Sequence, residues 1–249
     1  MCTVVILRRP GHRWPLLIGA NRDEMIDRPW RAPGRHWPDR SEVVAGLDLA
    51  AGGSWLGIND WGVAAAVLNR EGSLGPVPGR RSRGELVLEA LDHADAATAA
   101  EALADLDPAS YRSFNLLVAD DRDGFWLRHG GGAAVELRPL KDGLSLIAAG
   151  DIDDLKTRRL ALAIPAFRAW PAPDPDRGDW SAWEALLSST RAPRGEPATA
   201  AMRFLTDGYG TASSALIALP ARDSRDHRPH FRFAAWQPET MPWHEISLA

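Results

Sequence analysis

Residues 2–24 read CTVVILRRPGHRWPLLIGANRDE and contain two apolar runs joined by turn residues. The first run, residues 3–7, is rich in β-branched side chains, and Pro10 and Gly11 interrupt the pattern after it. The second run covers residues 14–20 and leads into a polar tetrapeptide. This arrangement predicts a β-hairpin. Because its first strand starts at Thr3, the hairpin places Cys2 at the edge of a sheet.

Cys2 is the only cysteine of the chain, so no internal disulfide can form. A thiol becomes a nucleophile when a base takes its proton, and an α-amino group with a pKa of about 7.7–8.0 is such a base. Loss of Met1 would make Cys2 the terminal residue, so that one residue carries both groups. The alternative is an inert buried cysteine, the usual state of a free thiol.

The rest of the chain alternates between strand and helix patterns without a regular βαβ order. Strands are predicted at residues 54–58, 63–69, 113–119, 125–128, 134–137, 214–219 and 231–236. Helices are predicted at residues 84–92, at residues 96–106 with Asp95 as the cap, at residues 153–170 with a break near Pro165, and at residues 180–188 and 198–205. A long ordered loop is predicted at residues 28–40. This order favours an α+β layered fold over a doubly wound sheet.

The composition is that of an ordinary globular protein, with 45% hydrophobic and 25% charged residues and a net charge of -4. A chain of 249 residues predicts one domain, or at most two. The start lacks a signal-peptide core, and no stretch approaches about eighteen consecutive apolar residues, so we expect a cytoplasmic protein without stable membrane insertion. Mild acidity argues against a nucleic-acid partner.

Two further features of the sequence each allow two interpretations. Arg80, Arg81 and Arg83 form a basic cluster that could meet an anionic substrate or simply a solvated loop before a helix. Five tryptophans fall in the first quarter of the chain, where most would anchor the core or loops. One or two of them, with Trp55 as the candidate, are expected to line an apolar acyl pocket and contact substrate.

Several motifs, in order along most of the chain, resemble one known family. They are Asn21-Arg22-Asp23-Glu24, Gly46-Leu47-Asp48, Gly52-Gly53-Ser54-Trp55-Leu56-Gly57-Ile58, Arg83-Gly84-Glu85-Leu86-Val87, Phe114-Asn115-Leu116-Leu117 and Gly208-Tyr209-Gly210-Thr211. The family is the NRDE family, which is similar to transport and Golgi organisation protein 2. The resemblance implies one domain over residues 1–249 with the four-layer αββα sandwich of N-terminal nucleophile (Ntn) hydrolases, in which two mainly antiparallel sheets are flanked by helices.

The chain also resembles the choloylglycine hydrolase and penicillin V acylase branch of that superfamily, which begins Met-Cys-Thr and carries an Asn-x-Asp pattern after the second strand. The resemblance implies that Asp23 orients the amine of Cys2, and that Asn21 belongs to the substrate site. The branch has an arginine where this chain has Ala20. Arg22 is the substitute, although strand alternation predicts that its side chain faces away from Asn21 and Asp23.

The same resemblance implies that Asn69 donates to the oxyanion, as the residue that ends the turn-and-strand of residues 59–69. The alternative is that Asn69 only ends a strand. At two places the chain departs from the pattern. An expected asparagine is replaced at Gly150 or Asp151, of which Asp151 is the candidate for substrate contact. An expected arginine and asparagine are replaced by Ala212 and Ser214, which puts anionic-substrate binding there in doubt.

Two classes of function are therefore predicted. The first is an amide, ester or thioester hydrolase, or an acyltransferase, with a small acyl or lipid-like substrate and no cofactor. The second is a non-catalytic protein on the same fold that binds haem, a lipid or an acyl conjugate. A metal-dependent hydrolase using Asp23, Glu24 and Asp27 has no supporting ligand spacing, and His227 and His230 lack a third ligand for zinc.

Overall fold

The computed structural model describes residues 2–224 and 227–248, so the predicted loss of Met1 concerns a residue outside this part. The described residues fall into two compact units. The first unit comprises the chain up to Asp27 together with Lys141–Ile246, and the second comprises Arg28–Leu140 with the residues from Ser247 onward. The single domain predicted over residues 1–249 stays a prediction.

The secondary structure consists of strands and helices numbered here in chain order. The strands are β1 Thr3–Arg8, β2 Leu16–Met25, β3 Trp30–Gly34, β4 Val43–Asp48, β5 Leu56–Asn59, β6 Ala64–Asn69, β7 Phe114–Ala119, β8 Gly124–His129, β9 Glu136–Pro139, β10 Gly143–Ile147, β11 Leu205–Thr206, β12 Tyr209–Leu219, β13 His230–Ala235 and β14 Met241–Glu245. The α-helices are α1 Gly84–Leu91, α2 Ala96–Ala104, α3 Arg158–Ala169 and α4 Ser181–Leu187.

The first unit contains a sheet in the order β10-β1-β2-β12-β13-β14, with β11 paired to β12. The predicted hairpin is confirmed, because β1 and β2 pair antiparallel with Val4 opposite Ala20. The second strand is longer than predicted and continues through the polar tetrapeptide to Met25. It does so because β12 pairs with β2 along its whole length, with Tyr209 opposite Met25.

The second unit contains a sheet in the order β3-β4-β5-β6-β7-β8-β9. The long loop predicted at residues 28–40 is wrong in part, because it includes β3, and β4 was not predicted. Pro33 is atypical of a strand, so the sequence pattern did not indicate β3. Pro33 is tolerated because β3 is an edge strand and its pairing with β4 is irregular between Arg31 and Gly34.

Both helices predicted in the second unit are confirmed, and in the first unit the helix predicted at residues 180–188 is confirmed as α4. The other two helices predicted in the first unit differ from the structure. α1 and α2 pack on the second sheet, and the predicted cap is confirmed by a 2.8 Å hydrogen bond from the Thr98 amide to Asp95. α3 runs unbroken through Pro165, which is exposed, while Leu160, Ile164 and Phe167 bury the opposite side. The predicted break was therefore wrong.

The helix predicted at residues 198–205 was also wrong. Only Ala198–Ala200 forms a short 3₁₀ turn, after which Ala201 is extended. Ala200, Ala201 and Met202 are all buried, a run of consecutive apolar contacts that one face of an α-helix cannot make.

All strand pairings of the described residues are antiparallel, and four α-helices accompany the two sheets. The α+β class predicted from the sequence is therefore confirmed. Within residues 2–224 and 227–248, each helix is too short or too polar to cross a membrane.

Candidate functional site

Cys2 lies directly before β1, an interior strand of the first unit's sheet. Its side chain is half-buried, and its Sγ donates to the backbone carbonyl of Asp23 at 3.5 Å. Burial raises the pKa of the Cys2 thiol, and the carboxylate of Asp23 acts in the same direction, while the charge of Arg22 lowers it. The thiol is therefore protonated at neutral pH and requires a base to act as a nucleophile.

Asp23 carries a buried carboxylate that accepts hydrogen bonds from two other elements. Arg159 Nη1 donates to Oδ2 at 2.6 Å, and the Thr211 hydroxyl donates to Oδ1 at 2.8 Å. The side chains of Asp23 and Arg159 are 0% and 2% exposed. Two charges removed from water to this degree are tolerated only when they are paired and hydrogen-bonded, as they are here. Arg159 and Thr211 restrict the orientation of this carboxylate, whose charge raises the pKa of the Cys2 thiol.

Arg159 ties the first turn of α3 to the start of the sheet. Besides Asp23, its Nη1 donates to the Thr3 hydroxyl at 3.1 Å, and its Nε donates to the carbonyl of Thr199 at 3.0 Å. Its guanidinium also lies over the ring of Phe204, 5.1 Å from the centroid. The residue that follows Cys2 is thus held by the same cation that holds Asp23.

Sequence reasoning assigned no role to Arg159, although a signal was present. Leu160, Ala163, Ile164 and Phe167 form the buried stripe of α3, and helical spacing places Arg159 at the edge of that stripe. A charged residue at such a position is buried only with a partner. The pattern alone predicts a buried ion pair there without identifying the partner.

Arg22 is buried on the other face of β2, as strand alternation predicted. Its Nη2 is 3.7 Å from Glu24 Oε2, a neighbour on the same face, and it lies opposite Ser213 in the pairing with β12. The Thr3 side chain faces Arg159, so alternation turns Cys2 toward the face that carries Arg22. Arg22 is therefore a cation on the side of the sheet that the thiol occupies.

Asn21 is engaged in hydrogen bonds within the first unit. Both hydrogens of its amide are used, one on the carbonyl of Leu187 at 3.0 Å and one on that of Met202 at 2.8 Å. Its oxygen accepts from the Ser214 hydroxyl at 2.6 Å, and its side chain is buried. Asn21 therefore joins the sheet to the end of α4 and to the chain before β11, and a substrate contact by Asn21 stays a prediction.

Tyr209 is a second residue that sequence reasoning did not select, although it lies in one of the family motifs. Its hydroxyl donates to the carbonyl of Asp23 at 3.4 Å, the same atom that accepts from Cys2. Burial raises the pKa of the Tyr209 phenol, and the charges of Cys2 and Asp23 add to the effect. The phenol remains a neutral donor.

Asp151 lies in a compact turn that leaves β10. Because Val4 of β1 lies opposite Ile147 of β10, the residues that follow Ile147 run alongside the start of β1, where Cys2 lies. The amide of Asp154 donates to the carbonyl of Asp151 at 3.3 Å, and a Cβ on Gly150 would lie 2.4 Å from the carboxylate of Asp154. Glycine at position 150 thus leaves room for the carboxylate of Asp154. A substrate contact by Asp151 stays a prediction.

Asn69 and Trp55 belong to the second unit. Asn69 ends β6 opposite Phe114, and Trp55 packs edge-on against Trp30 with centroids 6.0 Å apart. The ring of Trp55 also covers Gly46, where a Cβ would lie 2.4 Å from it. The oxyanion role of Asn69 and the pocket role of Trp55 stay predictions.

The basic cluster in the second unit is engaged within the protein. Arg83 donates to the carbonyls of Ser73 and Ser113, and Arg80 donates to that of Tyr111. Arg81 pairs with Glu85 and Glu89. These contacts anchor the chain before α1 and favour the structural interpretation of the cluster.

The other suggested ligand groups are also paired. His227 contacts the carboxylate of Asp176 at 3.0 Å, and His230 contacts that of Glu245 at 2.9 Å. Across residues 2–224 and 227–248, no three His, Cys, Asp or Glu side chains come together as a metal site.

Comparison with solved structures shows the fold. The chain is similar to a Caenorhabditis elegans N-acylethanolamine-hydrolyzing acid amidase ortholog, with 14% identity, a TM-score of 0.60, and 90% of this chain and 96% of that chain covered. It is similar to conjugated bile acid hydrolase from Clostridium perfringens, with 10% identity, a TM-score of 0.54, and 99% and 92% covered. It is also similar to penicillin V acylase from Agrobacterium tumefaciens, with 14% identity, a TM-score of 0.51, and 98% and 86% covered. The fold expected from the resemblance, that of Ntn hydrolases, is confirmed.

Comparison of sequences shows the family. Over 115 residues the chain is 39% identical to the Transport and Golgi organization protein 2 homolog of Bos taurus and 36% identical to that of Mus musculus. Each match covers 42% of this chain and 38% of the relative, so it spans well under half of the relative's length. The family profile described as Transport and Golgi organisation 2 matches residues 1–145. The chain belongs to the Transport and Golgi organisation 2 family.

Proposed function

We propose that this protein is an N-terminal cysteine hydrolase or acyltransferase that acts on an acyl amide, ester or thioester. The observation that carries the proposal is the position of Cys2, whose thiol donates to the backbone of Asp23 next to a buried, hydrogen-bonded carboxylate. The similar structures include an amidase, an acylase and a hydrolase, which supports an amide as the first substrate to test.

The chemistry begins with the α-amino group of Cys2, free after Met1 is removed. The neutral amine takes the thiol proton, and the sulfur attacks the acyl carbon while the carbonyl electrons move to oxygen. Asp23 orients the resulting ammonium. A hydrogen-bond donor to the developing oxyanion contributes most in the transition state, and losing one such donor typically costs on the order of 10²–10³ in rate.

The intermediate then collapses. The carbonyl re-forms, the bond to the leaving group breaks, and the ammonium returns its proton to the departing nitrogen, oxygen or sulfur. A water molecule or a second acceptor then gives its proton to the amine and attacks the acyl-enzyme thioester. The bond between the acyl carbon and Sγ breaks, and the ammonium returns the proton to the sulfur, which releases the acyl group and restores the thiol and the neutral amine. The raised pKa of the Cys2 thiol is compatible with this cycle only because the base is part of the same residue.

The test is mass spectrometry with a panel of acyl amides, acyl thioesters and lactams. The intact mass first shows whether Met1 is absent. We expect an acyl adduct on residue 2 of the wild type and none on Cys2→Ala. Retention of Met1 in the active protein, or turnover by Cys2→Ala, would contradict the proposal.

The alternative is a non-catalytic binding protein for haem, a lipid or an acyl conjugate. It predicts no adduct with any member of the panel and ligand binding that survives Cys2→Ala. Each protein is therefore also titrated with haem and with a fluorescent fatty acid, so that the two functions give opposite results for the same pair of proteins.

A further inference from the structure

The ion pair between Asp23 and Arg159 has features beyond those needed to join a helix to a sheet. Both side chains are almost completely buried, and the shortest contact between them is 2.6 Å. Arg159 is held on three sides, by Asp23, by the carbonyl of Thr199 and by the ring of Phe204. A guanidinium fixed in this way cannot move away from the carboxylate without losing all of these contacts.

The pair lies next to the proposed nucleophile. Thr3, which follows Cys2, is the first residue of β1, and its hydroxyl accepts from Arg159 Nη1 at 3.1 Å. The backbone carbonyl of Asp23 accepts from the Cys2 thiol at 3.5 Å, and the charge of Asp23 raises the pKa of that thiol. A nearby carboxylate stabilises an ammonium and destabilises a thiolate.

Without a neighbouring cation, the negative charge of Asp23 would therefore hinder catalysis. It would keep the terminal amine protonated at neutral pH, when the reaction needs the free base, and it would oppose deprotonation of the thiol. A neutral residue in its place would leave the amine without an orienting partner. A carboxylate whose charge is offset by a fixed cation can orient the amine without greatly raising its basicity.

We propose that Arg159 is a positioning residue that fixes the carboxylate of Asp23 and offsets its charge at Cys2, so that the terminal amine is oriented and still able to accept a proton. This inference rests on the proposed function and adds to it a residue that lies on α3, 136 positions away from Asp23. Arg159 acts through Asp23 and does not contact substrate.

The charged and titratable groups around Cys2 come from several elements and must be considered together. Asp23 and Arg22 on β2 act directly on the Cys2 thiol, and Tyr209 on β12 donates to the same carbonyl as that thiol. Glu24 on β2 lies near Arg22, Arg159 on α3 pairs with Asp23, and Asp151 lies in the turn that follows β10. Of the two groups that form the pair, Asp23 raises and Arg159 lowers the basicity of a nearby amine. Removing either one therefore leaves the other unbalanced.

The experiment measures the rate at which iodoacetamide alkylates Cys2 between pH 6 and pH 10, which requires no substrate. For Arg159→Met we expect the midpoint to rise by about one pH unit, so that alkylation at pH 7 slows about ten-fold, the size of effect expected for one nearby charge. Arg159→Lys keeps the charge and should keep the midpoint. In the double variant with Asp23→Asn, the midpoint should return toward that of the wild type.

Arg158→Met is the matched control, since Arg158 precedes Arg159 on α3 but pairs with Glu196 at the surface and is 55% exposed. It should leave the midpoint unchanged. An unchanged midpoint in folded Arg159→Met would overturn the inference. If Arg159→Met does not fold, Asp23→Asn is compared with the double variant, in which removing the arginine must again raise the midpoint.

The two proposals can fail separately. Retained Met1 or the absence of an acyl adduct would overturn the proposed function, while the alkylation profiles would still report whether Arg159 offsets Asp23 at the thiol. An acyl adduct together with identical profiles for the wild type and Arg159→Met would preserve the function and overturn the inference. Arg159→Met should also slow adduct formation mainly below pH 8, where a more basic amine is protonated.

Discussion

The hydroxyl of Thr211 donates to Oδ1 of Asp23 at 2.8 Å, across a register pair that joins β12 to β2. The same hydroxyl accepts from the amide of Phe204 at 3.2 Å, and the pairing of the two strands shifts directly after it, between Thr211 and Ser213. Bulges of this kind often occur beside functional sites, where they re-aim side chains. Thr211 and Arg159 thus both help to set the orientation of the Asp23 carboxylate.

Thr211→Val should weaken both stability and the reaction of Cys2. Valine has nearly the same shape but cannot donate to a buried carboxylate, so we expect the free energy of unfolding to fall by about 2 kcal/mol. The acyl adduct on Cys2 should also form more slowly. Urea denaturation and the adduct assay measure the two effects.

Thr206→Val is the matched control for Thr211→Val. Thr206 is exposed on β11, and its hydroxyl donates only to the carbonyl of Tyr209 at 2.9 Å. Its replacement should change stability by no more than about 0.5 kcal/mol and leave adduct formation unchanged. Equal effects of the two substitutions would argue against a role for Thr211 in orienting Asp23.

Asn21→Ala should destabilise the protein strongly. The change leaves the carbonyls of Leu187 and Met202 without their donors and removes the acceptor of the Ser214 hydroxyl, so we expect a loss of roughly 2–4 kcal/mol. Ser214→Ala keeps both amide contacts but removes the acceptor of the Trp236 indole N–H, so it should cost about 1–2 kcal/mol. If Asn21→Ala instead keeps its stability and loses only substrate affinity, the result would support the substrate role predicted from the sequence.

The sequence predicts well those parts of the fold that local patterns determine. The hairpin of β1 and β2, the helices α1 and α2 and the cap at Asp95 depend on residues that are near neighbours in the chain. β10 was missed because it is short and pairs with the distant strand β1. β14 was missed because it is short, contains Pro242 and pairs irregularly with β13. In the same way, β3 was hidden by a proline that only an edge strand accepts.

The candidate site is only half predictable for a related reason. Cys2, Arg22 and Asp23 lie within one hairpin, so a motif finds them together. Arg159 and Thr211 reach the same carboxylate from elements that are 136 and 188 positions away, and only the fold brings them there. The motif that contains Thr211 was recognised, but its contact with Asp23 depends on the pairing of β12 with β2.

Two close-approach glycines should respond differently to a single methyl group. A Cβ on Gly53 would lie 2.5 Å from the backbone carbon of Gly84, where the chain cannot yield, whereas a Cβ on Gly150 would meet the movable carboxylate of Asp154. We expect Gly53→Ala to cost about 3 kcal/mol and Gly150→Ala about 1 kcal/mol. Asp154→Ala should relieve the second clash. Gly132→Ala, with open space around it, is the control in urea denaturation.

The two tyrosines of the chain should titrate well above the range of an exposed phenol. Burial raises the pKa of Tyr111 to about 12, with a further contribution from Glu89, and it raises the pKa of Tyr209 as well. The folded protein should therefore show little tyrosinate absorbance at 295 nm at pH 11, while the urea-unfolded protein titrates near pH 10. A full tyrosinate signal with a midpoint near 10 in the folded protein would contradict this expectation.

The sign of the linked stability follows from these shifts. Because the folded pKa of each phenol lies above the unfolded value, the unfolded chain loses its protons first, so stability is fully present below about pH 10 and declines as the pH rises toward 12. Tyr111→Phe should reduce this decline. In the described part of the chain the buried hydroxyl of Tyr111 has no hydrogen-bond partner, so the same variant should be as stable as the wild type at pH 7, or more stable by up to about 1 kcal/mol. Tyr209→Phe removes the hydroxyl that donates to the carbonyl of Asp23, so it should lower stability at pH 7. Urea denaturation of the two variants at pH 7 and pH 11 therefore distinguishes the phenol without a hydrogen bond from the phenol that donates one.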